Sequence, residues 1–356
     1  PITPAFLTTT LGAPVWSLGL IEGIAESFAS IFKLYSGWLC DRVGQRKPFA
    51  LGGYGLGALS KLGLAVSSTW LGVLLARVVD RFGKGLRAAP RDVLITENCL
   101  PEQRGQAFGL HHTLETYGEV FGPLLGFALL NYFAFGYRQI FAIAFVPALL
   151  GVLILGKFVQ EPAAVGKTRH RPQFTWQGLS APYRRFLLAV GLFSLGNSSD
   201  AFLLLRSQDL GLGGAELLLL YALFNLVEAL LSLAAGNLSD RIGRRPLLIS
   251  GYFVFALVYL GFAIAQQAAL IWGLFMLYGL YSTLTRGVQK AFVADLVHPE
   301  RRGTEVGTFY LLVGLAALPA SFIAGWLYTQ VSVAAPFYFS AGTTLAAIAI
   351  LGTIRR

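Results

Sequence analysis

The stretch "PLLISGYFVFALVYLGFAIAQQAALIWGLFMLYGLYSTLT", residues 246–285, contains 40 residues without a charged side chain. A helix crosses the hydrocarbon core of a bilayer with about 20 apolar residues, so this stretch is long enough for two crossings. Residues 306–354 form another uncharged run of 49 residues, and residues 120–137 and 139–156 form two more of 18 residues each. These runs predict an all-α integral membrane protein with many spans.

The composition agrees with this prediction and argues against an enzyme. Only 13% of the 356 residues are charged, whereas soluble domains average about 25%. The sequence contains no GxxxxGK[ST] phosphate loop, nucleophile elbow or zinc motif, so we expect no enzyme activity and no cofactor. Cys40 and Cys99 suggest no disulfide framework. His111 and His112 point about 100° apart on a helix, so we expect no metal site.

The net charge of +10 lies in alternate loops. Basic residues concentrate at 41–47, 157–185 and 240–245, while the loops near 8–14, 67–70, 266–269 and 329–335 carry no charge. This alternation follows the positive-inside rule, which places the basic loops in the cytoplasm. It indicates a lipid bilayer as the partner of the chain rather than nucleic acid.

Turns at glycine, proline and charged residues divide the chain into predicted spans. The first helix ends near residue 7 and is expected to be truncated, because the chain begins at Pro1 rather than Met. The other predicted spans are 14–39, 48–68, 70–96, 103–130, 138–157, 184–206, 214–238, 246–266, 268–296, 303–328 and 333–353. The predicted organisation is a six-helix half at 1–157, a cytoplasmic linker at 158–183 and a second six-helix half at 184–356.

An internal repeat supports the division into halves. "GWLCDRVGQRKP" (37–48) matches "GNLSDRIGRRP" (236–246), with an offset of 199 residues from Asp41 to Asp240. "PEQRGQAFG" (101–109) matches "PERRGTEVG" (299–307), with an offset of 198. Parallel repeats of this kind predict two bundles related by a pseudo-two-fold axis, with the substrate site at their interface.

The repeated loop resembles the signature G-x-x-x-D-R-x-G-[RQ]-[RK] of the major facilitator superfamily, and the resemblance covers nearly the whole chain. The closest likeness is to a bacterial branch with "GKG-x-R-x-[AT]-PRD" in the fourth span and "NSSDAF" in the seventh, here residues 83–92 and 197–202. The resemblance implies that superfamily's fold, transport by alternating access, and the bacterial inner membrane, with the linker and C-terminus cytoplasmic. We expect a monomer.

The signature loops are predicted to form a cytoplasmic gate. Gly44 and Gly243 allow a tight turn. Asp41 can accept N–H groups at the N-terminus of a neighbouring helix, and Arg42 can pair with Asp92 or Glu97. The alternative is that these charges only fix topology. The predicted gate residues are Gly37, Asp41, Arg42, Gly44, Arg46, Arg91, Asp92, Gly236, Asp240, Arg241, Gly243 and Arg245.

A charged face runs along the fourth span. In a helical projection of "RVVDRFGKGLRAAPRD" (77–92), all seven charges fall on one face about 140° wide. A charge facing lipid is costly, so this face should meet a wet cavity or partner charges. Arg77 matches the fourth-span arginine that the superfamily links to proton coupling.

Acids buried in membrane helices can exchange protons or form structural ion pairs, and both alternatives remain open for each residue. The candidates for proton coupling are Glu22, Glu26, Arg77, Asp80, Glu115, Glu119, Asp200 and Glu228. The candidates for lining the substrate cavity, which could equally serve packing or anchoring, are Arg81, Lys84, Asn197, Tyr221, Asn225, Tyr278, Tyr281 and Arg286.

The fifth span contains "GEVFGPLLG" (118–126), which resembles the G-x-x-x-G-P-x-x-G motif of superfamily exporters. Its motif residues are Gly118, Gly122, Pro123 and Gly126, and the usual final Gly-Gly is Gly-Phe here. Small residues at this spacing let helices approach closely, so ordinary packing is the alternative.

These features predict a secondary active transporter that exports a small organic solute in exchange for protons. The cationic face suggests an anionic or zwitterionic solute. Proton-coupled uptake or facilitated diffusion of a metabolite is an alternative, as is a membrane receptor or sensor that binds a ligand without transporting it.

Overall fold

The computed structural model describes residues 6, 11, 29, 32–133, 135–161, 176–198, 200–212 and 214–354, and this part of the chain is helical without strands. The α-helices are α1 (32–43), α2 (Lys47–Val66), α3 (Trp70–Glu97), α4 (Arg104–Asn131), α5 (Tyr137–Phe158), α6 (Ala181–Gly196), α7 (Ala201–Asp209), α8 (Gly214–Ile242), α9 (Arg244–Ile264), α10 (Ala268–Leu296), α11 (Arg302–Gln330) and α12 (Ala335–Gly352). Short 3₁₀ turns at Pro101–Gln103 and Pro299–Arg301 precede α4 and α11.

Among the described residues, seven helical segments are long and apolar enough to cross a membrane. Most of the described helices begin and end within a few residues of the predicted spans, and α10 has the predicted bounds of 268 and 296. Local chemistry fixes several ends. The hydroxyl of Thr69 accepts the N–H of Gly72 at the start of α3, and that of Ser180 accepts the N–H of Tyr183 at the start of α6.

One predicted span is wrong in detail. The seventh span, 184–206, is two helices in the structure, because α6 ends at Gly196 and α7 begins at Ala201. The break falls on "NSSD", whose short polar side chains compete with the backbone for hydrogen bonds. It leaves Asn197 and Asp200 in the turn between α6 and α7.

The chain divides into two compact units that do not coincide with the predicted halves. One unit comprises residues 1–98, 121–173 and 298–311, and the other comprises 99–120, 174–297 and 312–356. In the first unit, α2 packs along α3 and α5; in the second, α10 packs on α8 and α9, and α12 on α6 and α9. The organisation into halves at 1–157 and 184–356 with a linker stays a prediction.

Several of the predictions lie outside the described residues. These are the proton-coupling candidates Glu22 and Glu26, most of the truncated first helix, the first half of the span predicted at 14–39, and the middle of the linker at 162–175.

Candidate functional site

In the first unit, Asp41 ties the C-terminal end of α1 to the N-terminus of α11. The buried Asp41 carboxylate accepts the backbone N–H of Gly303 at 2.9 Å and that of Thr304 at 2.6 Å, and it also accepts the Thr304 hydroxyl at 2.8 Å. A carboxylate at this place satisfies helix N–H groups and meets the positive end of the helix dipole. The sequence predicted this geometry; the gating role remains a prediction.

Two glycines permit this contact. An ideal Cβ on Gly37 would lie 2.0 Å from the carbonyl oxygen of Gly303, so α1 and α11 touch backbone to backbone there. Gly44 has a φ of 73°, in the left-handed region that glycine adopts without strain.

The cation that completes this cluster is Arg46, and the prediction for Arg42 is wrong. Arg46 lies 3.7 Å from Asp41 and 3.5 Å from Glu97, while Arg302 lies 3.6 Å from Glu97. Arg42 is exposed, with its guanidinium 5.4 Å from the ring centre of Trp38. The reason is geometric: Arg42 precedes the Gly44 turn and points away, whereas Arg46 follows the turn and folds back.

Burial is the largest influence on the pKa values of Asp41 and Glu97 in this cluster. It raises the pKa of Asp41 above its usual range, although the hydrogen bonds from Thr304 and Gly303 lower it. It also raises the pKa of Glu97, against the attraction of Arg46 and Arg302. The predicted gate residue Asp92 lies five residues before Glu97 and is buried. Its carboxylate accepts the Tyr310 hydroxyl and lies 3.1 Å from Nε of Arg91.

The second unit repeats the arrangement between α8, α9 and α4. Asp240 accepts the backbone N–H of Gly105 at 2.9 Å and that of Gln106 at 2.7 Å, at the N-terminus of α4. Arg244 lies 2.8 Å from Asp240 and 2.7 Å from Asp295. Arg104 lies 2.8 Å from Asp295. This ion pair corresponds to that of Arg302 and Glu97 in the first unit.

Two predicted gate residues are corrected here. Arg241 is exposed, and Arg245 donates to the carbonyl of Gly352 instead of joining the ion pairs, which Arg244 makes. Counted back from the proline, Arg244 corresponds to Arg46. The second loop is one residue shorter, which explains why the repeat offset falls from 199 to 198.

The charged face on α3 meets partner charges from α2. Asp80 lies 2.9 Å from Nζ of Lys61 and 3.8 Å from Arg77, and it accepts the Ser60 hydroxyl at 3.2 Å. Arg87 lies over the ring of Tyr54, with 4.2 Å to its centre. Asp80 is therefore ion-paired, and its partner Lys61 was missed because a single lysine in an apolar span has no motif around it. Of the predicted cavity residues on this helix, Arg81 is half-buried and Lys84 is exposed.

A cavity of about 450 Å³ lies within the second unit. Five predicted residues meet there: Asn197, Asp200, Tyr278, Tyr281 and Arg286. The other lining residues, which the sequence did not single out for this role, are Val190, Phe193, Ser194, Ser198, Thr285, Gln289 and Val313.

The break between α6 and α7 supplies the polar wall of this cavity. The Tyr278 hydroxyl donates to Asp200 at 2.6 Å, and the side-chain amide of Asn197 lies 3.4 Å from the Tyr281 hydroxyl. The rings of Tyr278 and Tyr281 stack with their centres 5.3 Å apart. The cavity thus combines a carboxylate, aromatic faces and amides.

Arg286 connects the cavity to a buried acid. Its side chain is 46% exposed and lines the cavity, and its Nε lies 3.5 Å from Oε1 of Glu228. The same oxygen lies 2.5 Å from Nε2 of His112 and accepts the Ser282 hydroxyl at 2.6 Å. Oε2 of Glu228 is buried and has no hydrogen-bond partner among the described residues. A buried carboxyl oxygen without a partner is costly unless the group carries a proton or a ligand.

His112 is a candidate that the sequence analysis did not single out. In the sequence it was considered only together with His111, as a metal-binding pair that was rejected. His112 and Glu228 lie 116 residues apart, and no local pattern joins them. Its burial, at 6% exposed, is the property that separates it from His111.

The remaining candidates lie elsewhere. Asn225 is buried and donates to the Tyr221 carbonyl one helical turn earlier, and neither residue lines the cavity. Glu115 lies 3.8 Å from Lys290 and 3.5 Å from His111, and Glu119 is exposed.

The glycines of the exporter-like motif contact no other helix among the described residues. Among the described residues, no atom outside their own helix turn lies within 4 Å of an ideal Cβ at Gly118, Gly122 or Gly126. Gly126 is nevertheless buried, and most of the first two predicted spans lie outside the described residues, so the packing alternative stays a prediction. The backbone of Pro123 lies within α4, and its side chain is outside the described atoms.

Comparison with known proteins gives a consistent result. Residues 1–205 and 186–356 each match the sequence model of the Major Facilitator Superfamily. An "Uncharacterized MFS-type transporter" of Methanocaldococcus jannaschii is 36% identical over 336 residues, which are 92% of this chain and 83% of that protein. The multidrug resistance protein MdtH of Photorhabdus laumondii is 25% identical over 341 residues, covering 92% of this chain and 82% of that protein.

Solved structures agree on the fold. The human organic anion transporter MFSD10 superposes with a TM-score of 0.78 at 17% identity, over 98% of this chain and 88% of that one. The fucose:proton symporter FucP of E. coli gives a TM-score of 0.80 at 13% identity, over 96% and 91%.

Proposed function

Because this chain belongs to the Major Facilitator Superfamily, we propose that it is a secondary active transporter that exports a small organic solute in exchange for protons. The solute carries a negative charge, alone or beside a positive one, and moves by alternating access. The observation that carries the proposal is that Arg286 faces both the cavity and the buried pair of Glu228 and His112.

The cavity fits a small organic anion or zwitterion. Its volume of about 450 Å³ lies in the range of small-molecule sites, roughly 300–1,000 Å³. The guanidinium of Arg286 can bind a carboxylate or phosphate with paired hydrogen bonds. Asp200 can accept from an ammonium or hydroxyl group, and the stacked rings of Tyr278 and Tyr281 offer an apolar face.

Shared use of Arg286 supplies a route to coupling. An anionic group bound in the cavity would compete with Glu228 for the guanidinium. Glu228 would then lose its cation, and a buried carboxylate without a cation favours taking up a proton. Binding of an anionic solute and protonation of Glu228 therefore favour each other through one residue, with His112 as the neighbouring group that can pass the proton. Taken alone, this linkage favours movement of solute and proton in the same direction, so the exchange mode rests on sequence likeness.

The direction of transport rests on sequence likeness. MdtH is named a multidrug resistance protein, and the stretch at 118–126 resembles the exporter motif. Gly118 and Gly122 are exposed and have no described atom within 4 Å of an ideal Cβ, so their proposed role concerns helix movement during transport rather than packing.

The test is transport by the purified full-length protein in liposomes. Solutes are first screened by thermal stabilisation in detergent, and the stabilising ones are then assayed for flux with and without an imposed pH gradient. We expect solute and protons to cross the liposome membrane in opposite directions. Protons should appear in the compartment that the solute leaves. Co-directional movement of solute and protons would instead establish uptake, and binding without flux would establish a receptor.

A further inference from the structure

Two opposite charges line the cavity of the second unit without contacting each other. Arg286 and Asp200 are both lining residues, and no ion pair joins them, whereas Arg286 lies 3.5 Å from Glu228. Asp200 is half-buried, and among the described residues no cation pairs with it. A carboxylate that is partly removed from water is stabilised by a positive charge nearby. The cavity therefore presents a negative charge that a bound cation can balance.

Asp200 is held in the cavity wall by Tyr278 and not by its own helix. It is the N-cap residue of α7, a position where aspartate usually accepts an N–H of the first turn, but its side chain makes no such hydrogen bond. Its Oδ1 accepts the Tyr278 hydroxyl at 2.6 Å. No described residue donates to Oδ2, so that oxygen is available to a solute.

The groups beside Asp200 add further hydrogen-bond acceptors. The Tyr278 hydroxyl uses its proton on Asp200, so its oxygen can only accept from a solute. The side-chain NH₂ of Asn197 lies 3.4 Å from the Tyr281 hydroxyl, which leaves the Asn197 side-chain carbonyl as an acceptor. An ammonium group donates several hydrogen bonds at once, whereas a hydroxyl group donates a single one. This end of the cavity therefore matches an ammonium group better than a hydroxyl group.

The rest of the cavity wall is mainly polar. All the lining residues except Val190, Phe193 and Val313 carry a hydrogen-bonding side chain. Ser194 is 7% exposed, and its hydroxyl has no hydrogen-bond partner among the described residues. Because a buried hydroxyl without a partner is unfavourable, this side chain favours a polar occupant of the cavity.

We propose that the solute is a polar zwitterion of the amino acid class, with its ammonium group on Asp200 and its carboxylate on Arg286. This inference rests on the proposed function, because it takes the cavity as the solute site, and it narrows the solute from any organic anion to a zwitterion. The ammonium donates to Oδ2 of Asp200 and to the oxygens of Tyr278 and Asn197. The carboxylate accepts paired hydrogen bonds from Arg286. A simple anion would leave the charge of Asp200 unbalanced.

Matched sets of solutes test the proposal by their binding to the purified full-length protein, measured by isothermal titration calorimetry and thermal stabilisation. Each set contains an amino acid, the acid in which a hydroxyl replaces the amine, and the amine that lacks the carboxyl group. The sets are serine with glycerate and ethanolamine, glutamine with hydroxyglutaramate and aminobutyramide, and aminocaproate with hydroxycaproate and pentylamine. We expect at least one amino acid to bind at least tenfold more tightly than both of its analogues. If no amino acid binds more tightly than its hydroxy acid, the proposal is overturned.

Variants of Asp200 locate the ammonium group. Asp200→Asn should weaken binding of the amino acid at least tenfold and leave binding of its hydroxy acid within about threefold, which also shows that the cavity is intact. Asp200→Glu keeps the charge and should keep a preference for the amino acid of at least threefold. Asp209→Asn is the matched control, because Asp209 lies at the other end of α7 and outside the cavity lining. An equal loss for both solutes in Asp200→Asn, or the same loss of preference in Asp209→Asn, would contradict the assignment, and the wild-type comparison stands even if Asp200→Asn is unstable.

Further measurements separate this inference from the proposed function. Binding in sodium buffer and in potassium buffer should agree, whereas a requirement for sodium would place a metal cation on Asp200 and overturn the proposal. If hydroxy acids bind as tightly as amino acids and exchange for protons in liposomes, the proposed function stands and the zwitterion assignment is wrong. If amino acids bind selectively but do not cross the liposome membrane, the proposed function is wrong and the assignment of the bound ligand stands.

Discussion

The carboxylate of Asp41 accepts the backbone N–H of Thr304 at 2.6 Å, although 263 residues separate them in sequence. Asp240 makes the same contact with Gln106 at 2.7 Å in the other unit. A duplicated loop therefore caps two different helices, α11 and α4, by the same chemistry. The repeat found in the sequence is therefore also present in the structure.

Replacing Asp41 with Asn should lower stability by about 1–2 kcal/mol, the range for loss of a helix cap. Both carboxylate oxygens accept N–H groups, and an amide would present its NH₂ to one of them. Thermal unfolding in detergent measures the effect, and Asp240→Asn should match it. Arg42→Gln is the control, since Arg42 is exposed; an equal loss in that variant would refute a specific capping role.

Replacing Arg244 with Gln should destabilise far more than replacing its neighbour Arg241. Arg244 is buried between Asp240 and Asp295, and removing one member of a buried ion pair costs about 3–5 kcal/mol. Arg241 is exposed, and such changes stay within about 0.5 kcal/mol. Melting temperatures of the two variants decide the point; similar values would show that the ion pairs are not structural.

Two glycines in helices should respond to alanine in opposite directions. An ideal Cβ on Gly303 would lie 2.5 Å from the carbonyl oxygen of Gly37, so Gly303→Ala forces the helices apart and should cost about 1–3 kcal/mol. At Gly118 nothing described lies within 4 Å, and alanine should add up to about 1 kcal/mol through helix propensity.

The Gly118→Ala variant also probes the exporter-like motif. If it is as stable as the wild type or more so, yet its transport rate falls at least fivefold, the glycine serves movement rather than packing. A Gly118→Ala variant that unfolds at a lower temperature would contradict the open surroundings seen at this position.

Much of the fold could be predicted from the sequence, because bilayer thickness imposes long uncharged runs that end at charges. The bounds of α10 and the contact of Asp41 with a helix N-terminus follow from such local rules. The break at 197–200 could not be predicted in this way, because apolar residues flank it on both sides and only the polar residues of "NSSD" mark it.

The candidate site was predicted in part. Asn197, Asp200 and Tyr278 were chosen as polar residues in apolar spans, and the fold brings them to one cavity. The choice of Arg42 over Arg46 failed because it depended on the path of the chain after a glycine turn. The contact between His112 and Glu228 depends on how α4 packs against α8, which no single segment encodes.

The sharpest functional prediction concerns Glu228. Glu228→Gln keeps an acceptor for His112, Ser282 and Arg286 but cannot release a proton, so we expect transport driven by a pH gradient to fall at least tenfold. Exchange of labelled for unlabelled solute without a gradient should remain within about threefold of the wild type, because that half of the cycle needs no net proton movement.

A matched acid separates coupling from general damage. Glu115→Gln alters a carboxylate on α4 that lies near Lys290 and outside the cavity lining, and it should keep gradient-driven transport. His112→Gln should lose it as Glu228→Gln does, because a glutamine can hold a hydrogen bond to Glu228 but cannot pass a proton. Flux assays in liposomes with the three variants at equal protein content decide the matter. If Glu228→Gln still accumulates solute against its gradient, the proton is carried elsewhere, and a selective loss in Glu115→Gln would move the assignment to that residue.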